Sequence, residues 1–467
     1  MTWLRVDKQS KIPIIRQLYE DIRLKILKGE LQAGYKLPSS RGLASSLQIS
    51  RNVVLESYEM LAAEGYILGQ QGSGMYVGQN ACFNGYTEIK AEKEDNKKTT
   101  GNETEDIINF RSGLPALDMF PMKKWSGLYH QVCTEMPSSE LSYGDPAGCL
   151  KLRSVIAQYL FKIRGVNCNP ENIIITTGAV QALQLTAKLL TTPGASVILE
   201  DPSNYDLQRI LSSCGAELIP IPVDEQGMKT ELLPEETHPK MVYLTPSHQF
   251  PLGGILPIQR RIELIRYARK TGAMIVEDDY DSEFRYEGPP VSSLQSLDPD
   301  RVIYIGTFSK IMFPALRVGY MVLPEHLVNR CRKLKRHSDF QTPILEQRTL
   351  SAFIEGGFLE RHVAKMKKVY YRRQKKLIHA LEACFKNQFK VLGASTGLHV
   401  VVKFKFEITR DQINRLKKSG VRMFPVEVHA MNQGDNLNSF ILGYGNLSEE
   451  MIDEGIKRMK KAFDTKI

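Results

Sequence analysis

The stretch Arg301-Val-Ile-Tyr-Ile-Gly-Thr-Phe-Ser-Lys310 decides the reading of this chain, together with Arg317 seven residues further on. Its apolar residues run on without polar alternation, as a strand buried on both faces requires, and such strands belong to parallel sheets covered by helices. The run ends in a Gly/Thr/Ser turn that delivers a single lysine. A lysine at the end of an apolar strand, with an arginine in reach, suits Schiff-base chemistry with a phosphorylated aldehyde cofactor. Each of the two alone reads as ordinary surface charge; the residues around them change that.

Runs of the same kind occur at Ile173-Ile-Ile175, Val197-Ile-Leu199, Met241-Val-Tyr-Leu244 and Met274-Ile-Val276, with helical periodicity between several of them, over residues 182–190 and 258–270. Strands alternating with helices predict an α/β domain with a mostly parallel sheet. After about Pro324 the pattern is helix-rich to Arg373 and then mixed, which predicts a small C-terminal α+β subdomain. Gly178, Asp278 and Lys310 are expected just beyond the carboxyl ends of three strands, where open α/β sheets bind ligands.

The first segment is patterned differently. Ile14, Leu18, Tyr19, Ile22 and Ile26 recur at helical spacing until Gly29. Leu37-Pro-Ser39-Ser-Arg41 opens a short second helix with Ser39 as N-cap, and Ser50-Arg51-Asn52 opens a third, capped by Ser50, with Val54, Tyr58 and Leu61 on one face. Two short helices across a tight turn make a helix-turn-helix. Residues 65–77 then read as strand, glycine turn and strand, a β-hairpin wing. Double-stranded DNA is the expected partner, with Ser50, Arg51 and Asn52 at the recognition-helix start, Arg41 on the backbone, and the Gly72-Ser73-Gly74 tip in the minor groove. Plain solvent exposure is the blander reading of each.

With 467 residues, 42% of them hydrophobic and 24% charged, the chain has the composition of a globular protein of two or more domains. The boundaries read as 1–78 for the DNA-binding domain, 79–106 for a polar tether too poor in apolar anchors to fold alone, and 107–467 for the α/β domain. The net charge of +10 permits a nucleic-acid partner without demanding one. Residues 1–78 carry ten Lys/Arg against seven Asp/Glu, residues 79–107 four against seven, and the remaining +10 lies beyond them, so DNA binding rests on the motif. The seven cysteines are scattered with no Cys-x-x-Cys pair, which predicts reduced thiols that mostly fill the core, and no metal. No stretch approaches the roughly 20 apolar residues of a membrane span. The start Met1-Thr-Trp-Leu-Arg5 lacks a signal-peptide apolar region, so a cytoplasmic protein away from membranes is expected.

Between a strand and a helix, Thr176-Thr177-Gly178-Ala179-Val180 can turn backbone N–H groups toward a phosphate dianion. At another strand end, Glu277-Asp278-Asp279-Tyr280 offers an acid to hold a pyridine nitrogen protonated and a phenol for a ring oxygen. A turn glycine and a solvated acidic loop are the blander alternatives. In conjunction, phosphate cradle, ring acid, lysine and phosphate arginine follow the order and rough intervals of a pyridoxal phosphate site.

These features resemble the aspartate-aminotransferase-like, fold-type I pyridoxal phosphate proteins over about residues 107–465. More narrowly, Ser142-Tyr143-Gly-Asp-Pro-Ala-Gly148, Leu244-Thr-Pro-Ser-His248-Gln-Phe-Pro251, Glu277-Asp-Asp-Tyr-Asp-Ser-Glu-Phe-Arg-Tyr286 and Gly306-Thr-Phe-Ser-Lys310 are similar to the MocR branch of GntR-type transcription regulators. The helix-turn-helix, with Leu37-Pro-Ser-Ser-Arg41 and Gly65-Tyr66, is similar to the GntR domain itself. The resemblance implies pyridoxal 5′-phosphate as cofactor, with Lys310 carrying the internal aldimine, Asp278 facing the pyridine nitrogen and Tyr280 the ring hydroxyl. It implies Gly178, Ala179, Ser309 and Arg317 around the phosphate and Tyr205 stacked on the ring, although Asp201-Pro-Ser-Asn-Tyr205 runs one residue longer than the family pattern. Tyr143 matches a tyrosine that reaches the phosphate of the neighbouring subunit, which implies a homodimer.

Two departures from the family stand out. Where aminotransferases place an asparagine against the ring oxygen, this chain has Gln249-Phe250, with His248 nearby as a substitute; where they place a carboxylate-gripping arginine, it has Ile441. The expected function is therefore a transcription regulator that senses pyridoxal phosphate, or an amine or amino-acid effector, through Lys310. The alternative is a working aminotransferase whose DNA-binding-like domain tethers or regulates it.

Overall fold

A computed structural model describes residue 4 and residues 6–70, 72–81 and 107–464. Most of the expected tether, residues 82–106 with Cys82, lies outside the described residues. The chain divides into two compact units, Met1–Gly101 and Asn102–Ile467.

In the first unit the helices Ile14–Leu27, Ser40–Leu47 and Arg51–Ala63 precede an antiparallel hairpin, Ile67–Gln70 with Gly74–Val77. Leu18, Ile22, Ile26, Val54, Leu61 and Ile67 are wholly buried in one core, which is why the apolar spacing holds. Both expected caps form. The Ser39 hydroxyl accepts from the Gly42 N–H at 3.1 Å and the Ser50 hydroxyl from the Asn52 N–H at 3.3 Å. Gln48, in the left-handed region at φ +50°, ends the second helix and makes the turn tight enough for the third to start at Arg51.

The second unit is built on eight strands in the order Ile173–Thr176, Gly319–Val322, Val302–Thr307, Met274–Asp279, Met241–Leu244, Ser196–Asp201, Glu217–Asp224, Gly227–Met228. Gly319–Val322 runs antiparallel to both of its neighbours and Gly227–Met228 folds back on Glu217–Asp224; the other pairs are parallel. Met274, Val276, Tyr243 and Ile303 pack into a core on one face, and Ile275, Val242 and Val302 into another on the opposite face, as strands without polar alternation demand. A four-stranded sheet of Phe389–Leu392, His399–Phe404, Ser439–Gly443 and Phe424–Pro425, with the helices Phe358–Phe385 and Glu449–Asp464 packed together, forms the C-terminal α+β part.

One expectation shifts. Asp278 lies inside its strand rather than beyond it, because the strand continues until Asp279 pairs with Gly306. Of the six described cysteines, all free, Cys331 is buried in a core, Cys149, Cys168, Cys214 and Cys384 are half-buried against the cores, and Cys133 is exposed, so core filling describes most of these thiols. Among the described residues, no helix is long and apolar enough to cross a membrane.

Candidate functional site

The strand Met274–Asp279 ends in three acids, and the two-residue period of a strand separates them. Glu277 and Asp279 turn to the face that holds Arg164: its Nε is 2.7 Å from Asp279 Oδ2 and its Nη2 is 3.8 Å from Glu277 Oε1. The Tyr304 hydroxyl donates to Asp279 at 2.6 Å, and burial pushes the Glu277 carboxyl up to about 7. Asp278 turns to the opposite face, where the Tyr243 hydroxyl donates to its Oδ2 at 2.7 Å. Its Oδ1 is buried and has no hydrogen-bond partner. Burial pushes the Asp278 carboxyl up to about 6. An orphaned buried acceptor costs about 1–3 kcal/mol, a cost that a cationic N–H donor in the crevice would remove.

Lys310 is half-buried, three residues past the strand Val302–Thr307. Burial pushes its ammonium below the ordinary lysine value; Asp281 and Asp278 pull it back, while Arg111 and Arg317 add to the depression. A lysine shifted this way is more often a free, nucleophilic amine. Its Nζ is walled by backbone. Gly113 has φ +68°, and a Cβ added there would stand 2.6 Å from that nitrogen.

Gly178 and Arg317 come together although 139 positions separate them in the chain. Gly178, at φ +103°, is the N-cap of the helix Ala179–Leu190 and supplies no side-chain cap. The Arg317 Nη2 lies 2.9 Å from where a Gly178 Cβ would be. Arg317 itself occupies the left-handed region at φ +52°, a conformation that costs a non-glycine residue roughly 1–2 kcal/mol. An uncapped helix start and a guanidinium thus share one spot, which suits a phosphate dianion. Ser309 is buried nearby in sequence, its N–H donating to Thr307 Oγ1 at 3.2 Å.

His248 is buried and held on both sides. Its Nδ1 lies 2.9 Å from Asp281 Oδ1, and the Tyr280 hydroxyl donates to its carbonyl oxygen at 3.0 Å. Its Nε2 is buried without a hydrogen-bond partner. His399 stacks on it with centroids 4.9 Å apart, and burial pushes His399 down to about 4, so the His399 ring is neutral. Gln249 does not take the asparagine's place: its amide donates to the carbonyls of Pro202 and Phe250, each at 2.8 Å, and accepts from the Leu252 N–H at 3.0 Å, stapling loops together. Ile441 is buried in an apolar cluster with Val401 and Val426.

Two expected residues are exposed within this single chain. Tyr143 is 82% exposed, its ring resting on Phe340 beside a surface cleft lined by Ser142, Asp145 and Arg332. Tyr205 is exposed at the start of the helix Tyr205–Ser213, its N–H reaching His429 Nδ1 at 3.4 Å. Conversely, Tyr243, Asp281 and Gly113 belong to the site and were not singled out by sequence reasoning. Tyr243 carried a signal, since a phenol inside an aliphatic buried strand needs a partner.

In the first unit Arg41, Arg51, Asn52, Gly72, Ser73 and Gly74 are exposed. The Ser50 hydroxyl is occupied as a cap, and the Arg51 Nε donates to Ser40 Oγ at 3.3 Å, tying the recognition helix to the start of the helix before it.

A winged helix-turn-helix unit and an α/β unit with a half-buried lysine, a buried acid and a glycine–arginine helix start define a DNA-binding protein with an aminotransferase-like domain. Residues 14–77 match the family model of the bacterial regulatory proteins, gntR family, and residues 105–459 that of aminotransferase class I and II. The chain is 35% identical to an uncharacterized HTH-type transcriptional regulator, YdeL of Bacillus subtilis (strain 168), over 98% of both chains. It is 31% identical to the probable rhizopine catabolism regulatory protein MocR of Rhizobium meliloti, over 98% of this chain and 96% of that one. The large unit is similar to the crystal structure of Pyrococcus horikoshii kynurenine aminotransferase in complex with PMP, at TM-score 0.72 and 30% identity, covering 77% of this chain and 91% of that one. The protein belongs to the MocR-type branch of the gntR family, transcription regulators that carry an aminotransferase class I and II domain. Pyridoxal 5′-phosphate is its cofactor, and the orphaned Asp278 Oδ1 and the Gly178–Arg317 cradle fit that group.

Proposed function

We propose that this regulator reads the occupancy of its own cofactor site: pyridoxal phosphate, or an amine or amino acid that competes for it at Lys310, sets how tightly the winged helix-turn-helix holds a promoter. The observation that carries the proposal is the Asp278 carboxylate, buried with one oxygen unpaired on the same crevice as a lysine whose ammonium is disfavoured. When bound, the cofactor supplies an aldehyde for amine capture and an electron-withdrawing ring. Lys310 Nζ would hold that aldehyde, Asp278 would keep the ring nitrogen protonated, and Gly178, Ala179, Ser309 and Arg317 would hold the phosphate. Tyr280 and His248 would orient the ring oxygen, and Tyr205 would cover the ring face. The exposed Tyr143 extends to the phosphate of a second copy, so the working form is a homodimer, acting in the cytoplasm.

On the DNA side, Arg51 and Asn52 read base edges from a helix start fixed by Ser50, Arg41 grips the backbone, and Gly72, Ser73 and Gly74 follow the minor groove. Ile441 in an apolar cluster, in place of a guanidinium fork, supports sensing over rapid amino-acid turnover. A ligand shifts DNA affinity only by binding two states unequally. Footprinting on the adjacent promoter with and without pyridoxal phosphate is the test. A protected site that changes with cofactor is the expected result; an identical footprint in both arms contradicts it.

A further inference from the structure

Loss of the arginine at the Ile441 position leaves open how a ligand's carboxylate is held, and a different arginine stands close by. Arg111 is exposed and, among the described residues, has neither an ion pair nor a side-chain hydrogen bond. Its backbone is fixed at both ends of a short segment. On one side the Gly443 N–H donates to the Phe110 carbonyl at 2.9 Å, and the Gly443 Cα lies so close under the Arg111 carbonyl that no side chain fits there. On the other side Gly113 closes on the Lys310 Nζ.

Ile441 and Gly443 lie on one face of the same strand, two residues apart. Arg111 therefore crosses that face about 7 Å from the Ile441 position, within the length of an arginine side chain. Its charge also reaches Lys310, whose ammonium it helps to depress.

We propose that Arg111 is a specificity-determining residue of the Lys310 site: it holds the carboxylate of the incoming ligand, so the effector class is an amino acid rather than a simple amine. The proposal rests on the pyridoxal phosphate reading above and adds to it a residue outside the cofactor's own contacts. A guanidinium free of internal partners, two residues from the wall that touches the amine, can offer both N–H donors of its fork to a carboxylate whose own amino group faces Lys310.

The test uses full-length protein loaded with pyridoxal phosphate, titrated by absorbance with L-alanine against ethylamine and with L-leucine against isoamylamine. Each pair shares a side chain and differs by the carboxylate. The unaltered protein is expected to bind the amino acid on the order of tenfold tighter than the matched amine, the weight of one charge-assisted contact. Arg111→Ala should bring the two constants to within about twofold of each other, and Arg111→Lys should restore part of the difference, since a point cation lacks the fork. An unchanged ratio in Arg111→Ala, equal affinities in the unaltered protein, or no response to either amino acid overturns the assignment while the lysine-bound chromophore still stands. Absence of that chromophore overturns the cofactor reading and this inference together.

Discussion

The DNA-reading unit and the Lys310 crevice are built on opposite terms. In the first, the core is wholly apolar at Leu18, Ile22, Val54 and Leu61, and the side chains expected to act lie outside it in water, within one contiguous stretch from Arg41 to Asn52 plus the wing tip. In the second, Gly113, Gly178, Asp278, Lys310 and Arg317 come from distant parts of the chain, and although Arg317 is exposed, Asp278 and Lys310 are withdrawn from solvent far enough to move their protonation. Displayed charge suits a polyanion whose contacts are screened and additive. A cofactor needs groups already desolvated and left unsatisfied until it arrives.

The largest effect expected from this contrast is at Lys310. Lys310→Ala should abolish any cofactor-dependent change in promoter affinity while leaving the fold and non-specific DNA binding intact; a response that survives in a gel-shift titration would break the comparison. Asp278→Asn comes next and works through stability. In the cofactor-free protein the folded Asp278 keeps its proton up to about 6, whereas the unfolded chain releases it near pH 4. The folded state therefore binds the extra proton in that window, and stability falls as pH rises through it, by about 3 kcal/mol in all. Asparagine removes the burden and still accepts from Tyr243. Urea midpoints should thus show the cofactor-free variant about 2–3 kcal/mol more stable at pH 7.5 and close to unaltered protein at pH 4, with cofactor affinity moving the opposite way. Equal midpoints at both values would deny that burial dominates at this carboxylate.

Smaller changes belong to the exposed unit. Arg51→Ala should weaken promoter binding by about 1–3 kcal/mol if it reads a base, with the cofactor's absorbance unchanged; an unaltered Kd would remove Arg51 from the interface. Ser39→Ala deletes one N-cap and should cost about 1 kcal/mol in the thermal unfolding of the first unit, leaving the crevice untouched. A shift in cofactor affinity on that substitution would contradict the separation drawn here.

The same contrast explains what could be read from the sequence. Ser39 and Ser50 cap their helices, and Ile14 to Ile26 face one core, because caps and periodicity are local and need only neighbours in the chain. The buried runs that carry Asp278 and Lys310 were legible for the same reason. Glu217–Asp224 was not, since Pro220 and Pro222 interrupt a half-buried strand near the sheet edge, where prolines are tolerated. Gly319–Val322 escaped because an antiparallel insertion between parallel neighbours has no sequence period of its own. Gln249 illustrates the deeper difficulty: it marked a departure from the family's ring asparagine, but the work of its amide, bonding to loop carbonyls, depends on contacts that only the fold brings near. Asp281 and Gly113 depend in the same way on contacts that spacing cannot encode.

Where a lysine ends up covalently marked is the most direct measure of the whole account. Purified protein loaded with pyridoxal phosphate, reduced with borohydride and mapped by peptide mass spectrometry, should carry a single phosphopyridoxyl group on Lys310. An unlabelled chain, or a label on a different lysine, would contradict it.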